Sequence, residues 1–404
     1  MSCIICRSSD LAFLAELASV PVIGTQLLRS SDEARRVARG DIWLVGCRCC
    51  GHVFNSAFDI DRVVYDERYE NSLMGSPHYR RYSESIISRL VSTYDLGGGT
   101  AVEIGCGRGE FLQMLCDRGL RKGIGFDPGR PAGENRLDHS AVTIIGDMFT
   151  PSRAPNADIV CSRYVLEHLL SPVDLLRSIR EAYASNPARV VFTEVPNGGY
   201  MLDGLGVWDP LYEHSSYFTS SSLANAMRLA GLAPGPINAE FGHQFLTAEA
   251  TFAKRATDER VAAPPDTQSF DGFADRFRRA LSLWQEWLDQ AWREGRRLAL
   301  WGAGAKSITF LNVLDRSGSI IERVVDINPL KAGAFTAGTG HPIVSPAALK
   351  QQPPDTILVM NPEYEGEIRQ MLDGLGLDAD LIVVSGRPLP PGASARRSIS
   401  PLSA

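Results

Sequence analysis

A repeated alternation of short apolar segments with helical segments constrains the fold of this chain more than any other feature. Between about residues 100 and 253 the apolar segments AVEIGCG, GIGFDP, AVTIIGD, ADIVCS and ARVVFTEVP are separated by stretches with helical spacing. This alternation predicts an α/β domain built on a parallel sheet, because each strand returns through a helix that covers the sheet. A second unit of the same kind begins at RLALWGAGAKSITFLNVL and continues through RVVDINP, DTILVMN and DLIVVSG.

The first apolar segment runs into a loop in which glycines alternate with other residues. A segment with helical spacing, GEFLQMLCDRGL, follows the loop directly. Glycines in such a place let the backbone turn sharply and approach a ligand at the N-terminus of the helix. The dinucleotide fingerprint G-x-G-x-x-G is absent, because Glu110 stands where its last glycine would fall. The loop and the acid before it are Glu103, Gly105, Cys106, Gly107 and Gly109.

Acidic residues end the next two strands of this series. Asp127 closes GIGFDP, where a carboxylate can accept hydrogen bonds from both hydroxyls of a ribose. Asp147 follows the third strand, in IIGDMF, where it can meet the edge of an adenine. The alternative is that the glycines serve only the turn. The strands, the loop and the two acids together resemble the class I methyltransferase superfamily, and this resemblance implies that they bind S-adenosylmethionine.

Cysteines are concentrated at the start of the chain, where five of the eight fall within the first 50 residues. Cys3 and Cys6 form one pair with two residues between them, and Cys47 and Cys50 form another. Each pair can supply two thiolates from one tight turn. The two turns therefore predict a closed, structural zinc site with four sulfur ligands.

Two further residues with metal-binding side chains, Cys49 and His52, lie beside the second pair. The choice of Cys47 and Cys50 over Cys49 therefore rests on spacing alone. The alternative to a metal site is a set of free cysteines at the surface.

Composition and charge narrow the class of protein. The first residues, MSCIICRSSD, lack the basic and apolar regions of a signal peptide, and no apolar run is long enough to span a bilayer. We therefore expect a cytoplasmic protein without a membrane partner and without disulfides. A formal net charge of −6 argues against a nucleic-acid partner, since phosphate binding needs a basic face.

Two segments that contain histidine follow the glycine-loop series. SRYVLEHLLSPVDLL carries Glu167 and His168 just after the fourth strand, and WDPLYEHSSYF carries Tyr212, Glu213 and His214. Loops at the carboxyl ends of parallel strands form the ligand crevice of such sheets, so we expect both segments to reach it. A neutral imidazole can remove a proton from a carbon or a hydroxyl near neutral pH. We favour this role for His214, whereas packing or orientation of the cofactor is the stronger alternative for His168.

The chain as a whole resembles the three-domain sugar C-methyltransferases. The resemblance rests on the paired cysteines, on E-x-G-x-G-x-G, on E-H-x-S-Y-F at residues 213–218, and on the C-terminal segments WGAGAKSITFLN, VVDINPLKAG and GTGHPIVSP. It implies a small-molecule acceptor, a nucleotide-linked 4-keto-deoxyhexose, whose carbon beside the ketone loses a proton to form an enolate that takes the methyl group. The family's base falls on His214, and a second family histidine falls on His168. The C-terminal domain is implied to help bind the nucleotide sugar.

Departures from the family pattern concern the acceptor pocket. The family commonly reads Y-H-E-H, but Leu211 occupies the tyrosine position and Tyr212 stands one place later. Tyr212 or Tyr217 would then assist by stabilising the enolate oxygen. The family's Trp-Asn pair at a C-terminal strand end is here Met360-Asn361. The identity of the sugar, and transfer to oxygen or nitrogen instead of carbon, therefore stay open.

Further acceptor contacts are expected outside the glycine-loop series. In the C-terminal unit, Lys306 offers a charge and Ser307 a donor after a glycine turn at the start of a helix, a layout suited to phosphate. Asp326, at the end of the next strand, occupies a ribose-binding place. A Rossmann-like unit kept only for architecture is the alternative. The other expected acceptor residues are Tyr65, Tyr69 and Tyr217.

We therefore predict an α/β protein in which a class I methyltransferase Rossmann-like domain is flanked by a small zinc-binding N-terminal domain and a C-terminal Rossmann-like domain. The alternatives are an O- or N-methyltransferase of another small metabolite and a non-catalytic, zinc-dependent binding or scaffold protein. The expected divisions are 1–60 (zinc-binding domain), 61–95 (helical connector and acceptor-site segment), 96–255 (S-adenosylmethionine-binding domain), 256–295 (linker and helix), 296–388 (acceptor-binding domain) and 389–404 (disordered tail).

Overall fold

The structure is a computed structural model that describes residues 1–66, 68–137, 141–252, 265 and 267–386. The expected linker at residues 256–269 lies mostly outside the described residues, and the expected tail at 389–404 lies entirely outside them. Within the described part, two sheets built mainly from parallel strands and one small antiparallel sheet confirm the predicted α/β fold class.

The small antiparallel sheet begins the chain. Strand β1 pairs with β2, and β2 pairs with β3, so the turn between β2 and β3 contains the second cysteine pair. The N-terminal elements are β1 (Leu11–Pro21), α1 (Ser31–Arg35), β2 (Arg39–Cys47) and β3 (Val53–Asn55).

The central region contains the largest sheet. Its elements are α2 (Pro77–Tyr94), β4 (Thr100–Ile104), α3 (Glu110–Asp117), β5 (Lys122–Phe126), β6 (Gly133–Arg136), β7 (Val142–Gly146), β8 (Ile159–Arg163), α4 (Pro172–Ala182), β9 (Val190–Pro196), α5 (Gly198–Gly204), β10 (Ser216–Tyr217), α6 (Ser220–Leu229), β11 (Leu232–Glu240) and β12 (Phe245–Phe252). The apolar segments singled out in the sequence correspond to β4, β5, β7, β8 and β9.

The strand order of the central sheet places its ligand crevice. Among the described residues the order is β11-β12-β9-β8-β4-β5-β7-β6, with β9, β8, β4, β5 and β7 parallel. Parallel strands are covered on both faces, which explains why β4 and β8 are entirely buried and read as near-continuous apolar runs. The strands that come next after β4 in the chain, β5 and β7, lie on one side of it, and the later strands β8 and β9 lie on its other side. The order in which strands are added to the sheet therefore changes direction between β4 and β8. A crevice is therefore expected at the carboxyl ends of these two strands.

The C-terminal region is a second, smaller parallel sheet preceded by a long helix. Its described strands have the order β15-β14-β13-β16-β17, and all of their pairings are parallel. The elements are α7 (Phe273–Arg293), β13 (Leu298–Trp301), α8 (Ala305–Leu314), β14 (Ile321–Val325), β15 (Ile343–Val344), β16 (Thr356–Val359), α9 (Glu365–Leu375) and β17 (Asp380–Val383). The sequence also predicts one apolar stripe at helical spacing on α7, formed by Phe273, Phe277, Leu281, Trp284 and Leu288. All of these residues are buried except Leu281, which is half-buried.

The N-terminal sheet packs against both larger regions. One buried apolar cluster joins Leu14 of β1 to Trp284 of α7 and Phe310 of α8, and another joins Cys47 to Met227 of α6. In addition, β10 of the central region pairs antiparallel with β3 and becomes the fourth strand of the N-terminal sheet. Among the described residues, none of the helices combines the length and apolar character that crossing a bilayer requires.

Candidate functional site

The two cysteine pairs come together in the structure. The Sγ atoms of Cys3 and Cys50 are 3.6 Å apart, those of Cys6 and Cys47 are 3.5 Å apart, and all four lie within 4.8 Å of one another. In a tetrahedral site with Zn–S bonds of about 2.3 Å the sulfur atoms are about 3.8 Å apart, so this donor set fits zinc. Cys49 is exposed and lies outside the quartet. The geometry therefore favours the pairing that spacing alone suggested.

The glycine loop after β4 has a backbone that only glycine adopts without strain. Gly105, Gly107 and Gly109 have φ values of 71°, 55° and 75°, all in the left-handed region. A Cβ at Gly105 would collide with the side chain of Val165, whereas a Cβ at Gly107 would meet nothing within 4 Å. The loop is therefore packed against the segment after β8 at Gly105 and open at Gly107, where a ligand can approach.

Asp127 fixes this loop from the end of β5. Its Oδ2 accepts a hydrogen bond from the Gly107 amide at 2.7 Å, and its Oδ1 accepts one from the Gly129 amide at 2.9 Å. Asp147, at the end of the adjacent strand β7, is exposed and forms an ion pair with Arg153. That hydrogen bond with Arg153 lowers the pKa of Asp147. Both predicted cofactor acids thus lie at the same edge of the sheet, and Asp127 already orders the loop.

Glu103 at the end of β4 is a buried carboxyl with an unsatisfied oxygen. Its side chain is 3% exposed, and its Oε2 has no hydrogen-bond partner among the described residues. Burial raises the pKa of Glu103 to about 8. An unpaired buried acceptor is costly, so a donor from a bound ligand would stabilise it. The loop, Asp127 and this carboxyl fit a cofactor that carries a ribose and a cationic amino group.

The two histidine segments meet beside the loop. The rings of His168 and His214 are 4.8 Å apart and edge to face. Nδ1 of His168 lies 2.9 Å from the main-chain carbonyl of Glu213 and 2.8 Å from the hydroxyl of Tyr65. Because a carbonyl can only accept, Nδ1 carries the hydrogen and Nε2 of His168 holds the free lone pair. Burial lowers the pKa of His168 to about 4, and burial together with the charge of His168 lowers the pKa of His214 well below its ordinary value.

The side chain of Glu213 does not have the partner expected from the sequence. The position of Glu213 next to His214 in the sequence predicts a hydrogen bond from the ring to this carboxylate, which would raise the basicity of the ring. Its oxygens accept instead from the Gly24 amide at 3.3 Å and from the hydroxyl of Tyr69 at 3.2 Å. Burial raises the pKa of Glu213 to about 7. The reason is local geometry, because the oxygens of Glu213 contact Gly24 and Tyr69, whereas the ring of His214 packs against those of His168 and Tyr217.

Glu167 is a member of this cluster that sequence reasoning left out of the candidate site. One of its oxygens lies within 4.8 Å of ring nitrogens of His168 and His214, and its side chain is 1% exposed. Its Oε2 has no hydrogen-bond partner among the described residues, and burial raises its pKa to about 8. The signal was present in the sequence, since Glu167 precedes His168 directly in LEH.

Two tyrosines predicted to assist the chemistry are engaged elsewhere. The hydroxyl of Tyr212 accepts from the Asp59 amide at 3.2 Å, and its ring is packed over Gly40, where no Cβ would fit. The hydroxyl of Tyr217 donates to the Leu211 carbonyl at 2.8 Å and is buried. The ring of Tyr217 still packs against that of His214, with centroids 6.0 Å apart. The hydroxyls that contact the two histidine segments are those of the connector before α2, where Tyr65 reaches His168 and Tyr69 reaches Glu213.

The glycine turn after β13 is held by an aspartate in the same way as the glycine loop after β4. Asp326 accepts from the Ala303 amide at 2.7 Å and from the Asn328 amide at 2.8 Å, as Asp127 does for the first loop. Lys306 pairs with Asp209 of the central region at 2.8 Å. The hydroxyl of Ser307 donates back to the carbonyl of Gly302 and is buried. Asp326 thus fixes the conformation of the turn, and the ammonium group of Lys306 is paired with the carboxylate of Asp209.

Comparison with protein families assigns the central and C-terminal regions. Residues 77–234 match the methyltransferase domain family, and residues 241–383 match the C-methyltransferase C-terminal domain family. The chain contains a methyltransferase domain. In this methyltransferase the first match contains the glycine loop and both histidine segments, and the second contains the turn with Lys306 and Asp326. The enzyme prediction is confirmed.

Solved methyltransferase structures are similar to part of this chain. A magnesium protoporphyrin IX methyltransferase from Synechocystis PCC 6803 with bound SAH is 14% identical and covers 44% of this chain and 84% of its own, with a TM-score of 0.34. An S-adenosylmethionine-dependent methyltransferase from Mesorhizobium loti is 16% identical and covers 42% and 97%, with a TM-score of 0.32. A comparison with curated proteins gives no match. The assignment therefore rests on the two family matches.

Proposed function

We propose that this methyltransferase adds a methyl group to the carbon beside the ketone of a nucleotide-diphosphate-linked keto-deoxysugar. The match of residues 241–383 to the C-methyltransferase C-terminal domain supports carbon as the acceptor atom. The observation that carries the chemistry is the paired imidazoles of His168 and His214, 4.8 Å apart beside the glycine loop. When bound, S-adenosylmethionine supplies an electrophilic methyl group on its sulfonium.

The base in this proposal is His214, with His168 as its alternative. Burial keeps both imidazoles neutral near pH 7, so each has a lone pair that can take the proton from the carbon beside the ketone. The electron pair of the broken C–H bond goes into the enolate. With the cofactor bound, the enolate carbon would form the new C–C bond to the methyl carbon as the S–CH₃ bond breaks, and the electron pair of that bond would stay on sulfur. The proton stays on the imidazole, beside the carboxyl of Glu167, one oxygen of which lies within 4.8 Å of the ring nitrogens.

The enolate oxygen needs a donor, and the connector supplies two hydroxyls. Tyr65 contacts His168 at 2.8 Å, and Tyr69 donates to Glu213 at 3.2 Å. We assign to these two tyrosines the oxygen-stabilising role expected of Tyr212 or Tyr217, whose hydroxyls are bound to main-chain atoms. The hydroxyl of Tyr65 accepts from Nδ1–H of His168, so its own hydrogen can point to the enolate oxygen, whereas Tyr69 would have to turn from Glu213 to donate to it.

The nucleotide diphosphate is proposed to bind at the second glycine turn. Gly302 and Gly304 have no atom within 4 Å of the place where a Cβ would stand, so the turn is open to a ligand. Lys306 at the start of α8 offers a positive charge there, currently balanced by Asp209 at 2.8 Å. A diphosphate would replace Asp209 as its partner. Zinc held by Cys3, Cys6, Cys47 and Cys50 is proposed to be structural.

The position of the transferred methyl group tests this function. S-adenosylmethionine labelled with ¹³C in its methyl group would be incubated with the enzyme and a set of nucleotide-linked 4-keto-deoxyhexoses. We expect the label in a methyl group bonded to carbon, which NMR distinguishes by its shift from methyl on oxygen or nitrogen. Label on oxygen or nitrogen would overturn the carbon assignment. Turnover with acceptors that lack phosphate, and none with nucleotide sugars, would overturn the substrate class.

A further inference from the structure

The turn between β2 and β3, which carries Cys47 and Cys50 and is called the metal turn below, packs directly on the start of α6. A Cβ at Gly51, whose φ is 72°, would lie 2.9 Å from the hydroxyl oxygen of Ser221. The hydroxyl of Thr219 donates to the Gly51 carbonyl at 3.1 Å, and that of Ser221 donates to the Cys50 carbonyl at 3.4 Å. The turn that carries two proposed zinc ligands is therefore bonded to the segment that follows the proposed active-site loop.

His52 extends this contact inward. Its side chain is fully buried, with its ring between Phe54 and Phe218, and its two nitrogens contact two serines. Nε2 lies 3.2 Å from the hydroxyl of Ser216, and Nδ1 lies 3.4 Å from that of Ser222. A neutral imidazole has one donor and one acceptor nitrogen, which is what two hydroxyl partners require.

The hydroxyls decide which nitrogen donates. The hydroxyl of Ser222 donates to the Thr219 carbonyl at 3.1 Å, so it can accept from Nδ1–H of His52. Nε2 then accepts from the hydroxyl of Ser216. His52 thus connects α6 on one side with β10 on the other, and each bond has its own donor.

Ser216 lies two residues after His214, the proposed base. β3, which begins directly after His52, pairs with β10, so that Phe54 lies opposite Ser216. The Asn55 amide also donates to the Ser215 carbonyl at 3.0 Å. On its other side Ser215 donates to the Leu169 carbonyl at 2.7 Å, next to His168. The loop with His214 is therefore held between the metal turn and the segment after β8.

We infer that His52 is a positioning residue that couples the four-cysteine site to the His214 loop, so that the metal turn holds the proposed base in place. The catalytic part of this role rests on the proposed function, because it takes His214 as the base. The structural part does not, because it concerns only the order of the loop. The two parts can therefore be measured separately.

Hydrogen exchange of backbone amides tests the structural part in the full-length, zinc-loaded protein. His52→Phe keeps an aromatic ring but removes both hydrogen bonds. We expect the amides of residues 53–55 and 214–217 to exchange at least tenfold faster in this variant and in wild-type protein treated with a zinc chelator. Residues 298–314 should be unaffected. A matched control is His341→Phe, since His341 is a buried histidine of the C-terminal region that bonds Asp315 and Thr339.

Two conservative variants identify the bond that matters. His52→Gln can place its amide oxygen near Nε2 and keep the Ser216 bond, whereas His52→Asn reaches only the Nδ1 side and Ser222. We expect Gln to restore most of the protection and of the methyl-transfer kcat, and Asn to restore little, with one zinc per chain in both. Wild-type exchange in His52→Phe, or better rescue by Asn than by Gln, would overturn the inference. If loop protection follows the predicted order but the wild type methylates no keto-sugar, the proposed function fails and the coupling stands.

Discussion

At the scale of single residues, burial decides which groups in the proposed site are charged. It lowers the pKa of His168 to about 4 and raises those of Glu213 and Glu167 to about 7 and about 8. Near pH 7 the histidines are therefore available as bases, and Glu167 is mostly a neutral acid that can donate a hydrogen bond. The cluster thus avoids several unpaired charges in a closed space.

Glu167→Gln should reveal this neutral carboxyl through the pH dependence of stability. The folded-state pKa of Glu167 is raised to about 8 from an ordinary 4.5, so its stabilising contribution is complete below pH 4.5 and is lost as the pH rises toward 8. Glutamine keeps the neutral shape at every pH. The free energy of unfolding of the variant, relative to wild type, should therefore rise between pH 5 and pH 8 by on the order of a few kcal/mol.

Urea unfolding at pH 5, 6.5 and 8 measures this difference. The exposed Glu181 provides the control, since Glu181→Gln removes a carboxyl that lies in solvent and should give a flat difference. A flat difference for Glu167→Gln as well would mean that this carboxyl is ionised in the fold.

Asp127→Ala should weaken cofactor binding by disordering the loop. The variant loses the bonds to the Gly107 and Gly129 amides and the expected contact with the ribose, each charge-assisted bond contributing about 1.5–3 kcal/mol. We expect calorimetry with S-adenosylhomocysteine to give an affinity at least tenfold lower. Asp326→Ala, which removes the same pair of bonds from the second turn, should leave this affinity unchanged. Equal effects of the two variants would contradict the assignment of the cofactor to the first loop.

At the scale of elements, the sequence predicted what local pattern and buried apolar runs determine. The strands of the central sheet, the glycine loop and the stripe on α7 all follow from residues close together in the chain. Pairings between distant segments could not be read in this way. β10 has only two residues, and its partner β3 lies about 160 positions earlier, so no periodicity marks it. The contact of His52 with Ser216 of β10 was missed for the same reason, and so was that of Tyr212 with Asp59, 153 positions earlier.

Removal of one cysteine tests the metal turns as elements. Cys50→Ser should release the metal, because it replaces one of four thiolates, three of them from buried cysteines, with a weaker ligand. Cys49→Ser, in the same turn but exposed and outside the quartet, should keep one zinc per chain. Metal analysis of the purified proteins measures both. Purified wild-type protein without zinc, or full zinc content in Cys50→Ser, would exclude this four-cysteine site.

At the scale of the whole molecule, the carboxylate of Glu70 is hydrogen-bonded to residues beside both glycine loops. Glu70 of the connector is buried. Its carboxylate accepts a hydrogen bond from the guanidinium of Arg108 in the first loop at 2.5 Å and one from the side-chain amide of Asn328, which follows β14, at 3.1 Å. The connector that supplies Tyr65 and Tyr69 thus lies between the proposed cofactor and nucleotide sites. In the proposed function this arrangement would let residues from three regions face one acceptor.

Lys306→Ala should separate acceptor binding from cofactor binding. Loss of the cation should raise the KM for a diphosphate-linked acceptor by about tenfold, the effect of one charge-assisted bond, and leave the affinity for S-adenosylhomocysteine unchanged. Asp209→Asn, which removes the internal partner of Lys306, should leave the KM equal or lower. A normal KM for nucleotide sugars in Lys306→Ala would count against the proposed acceptor site.

The central claim is that a histidine beside the cofactor loop removes a proton from carbon. Its most direct test is washout of deuterium from the carbon beside the ketone of a nucleotide-linked keto-sugar, followed by NMR with S-adenosylhomocysteine bound. We predict exchange in the wild type, a loss of about 10²–10⁴ in its rate in His214→Ala, and a smaller loss in His168→Ala. The reverse order would move the base to His168. Absence of exchange in the wild type, or wild-type rates in both variants, would contradict the account.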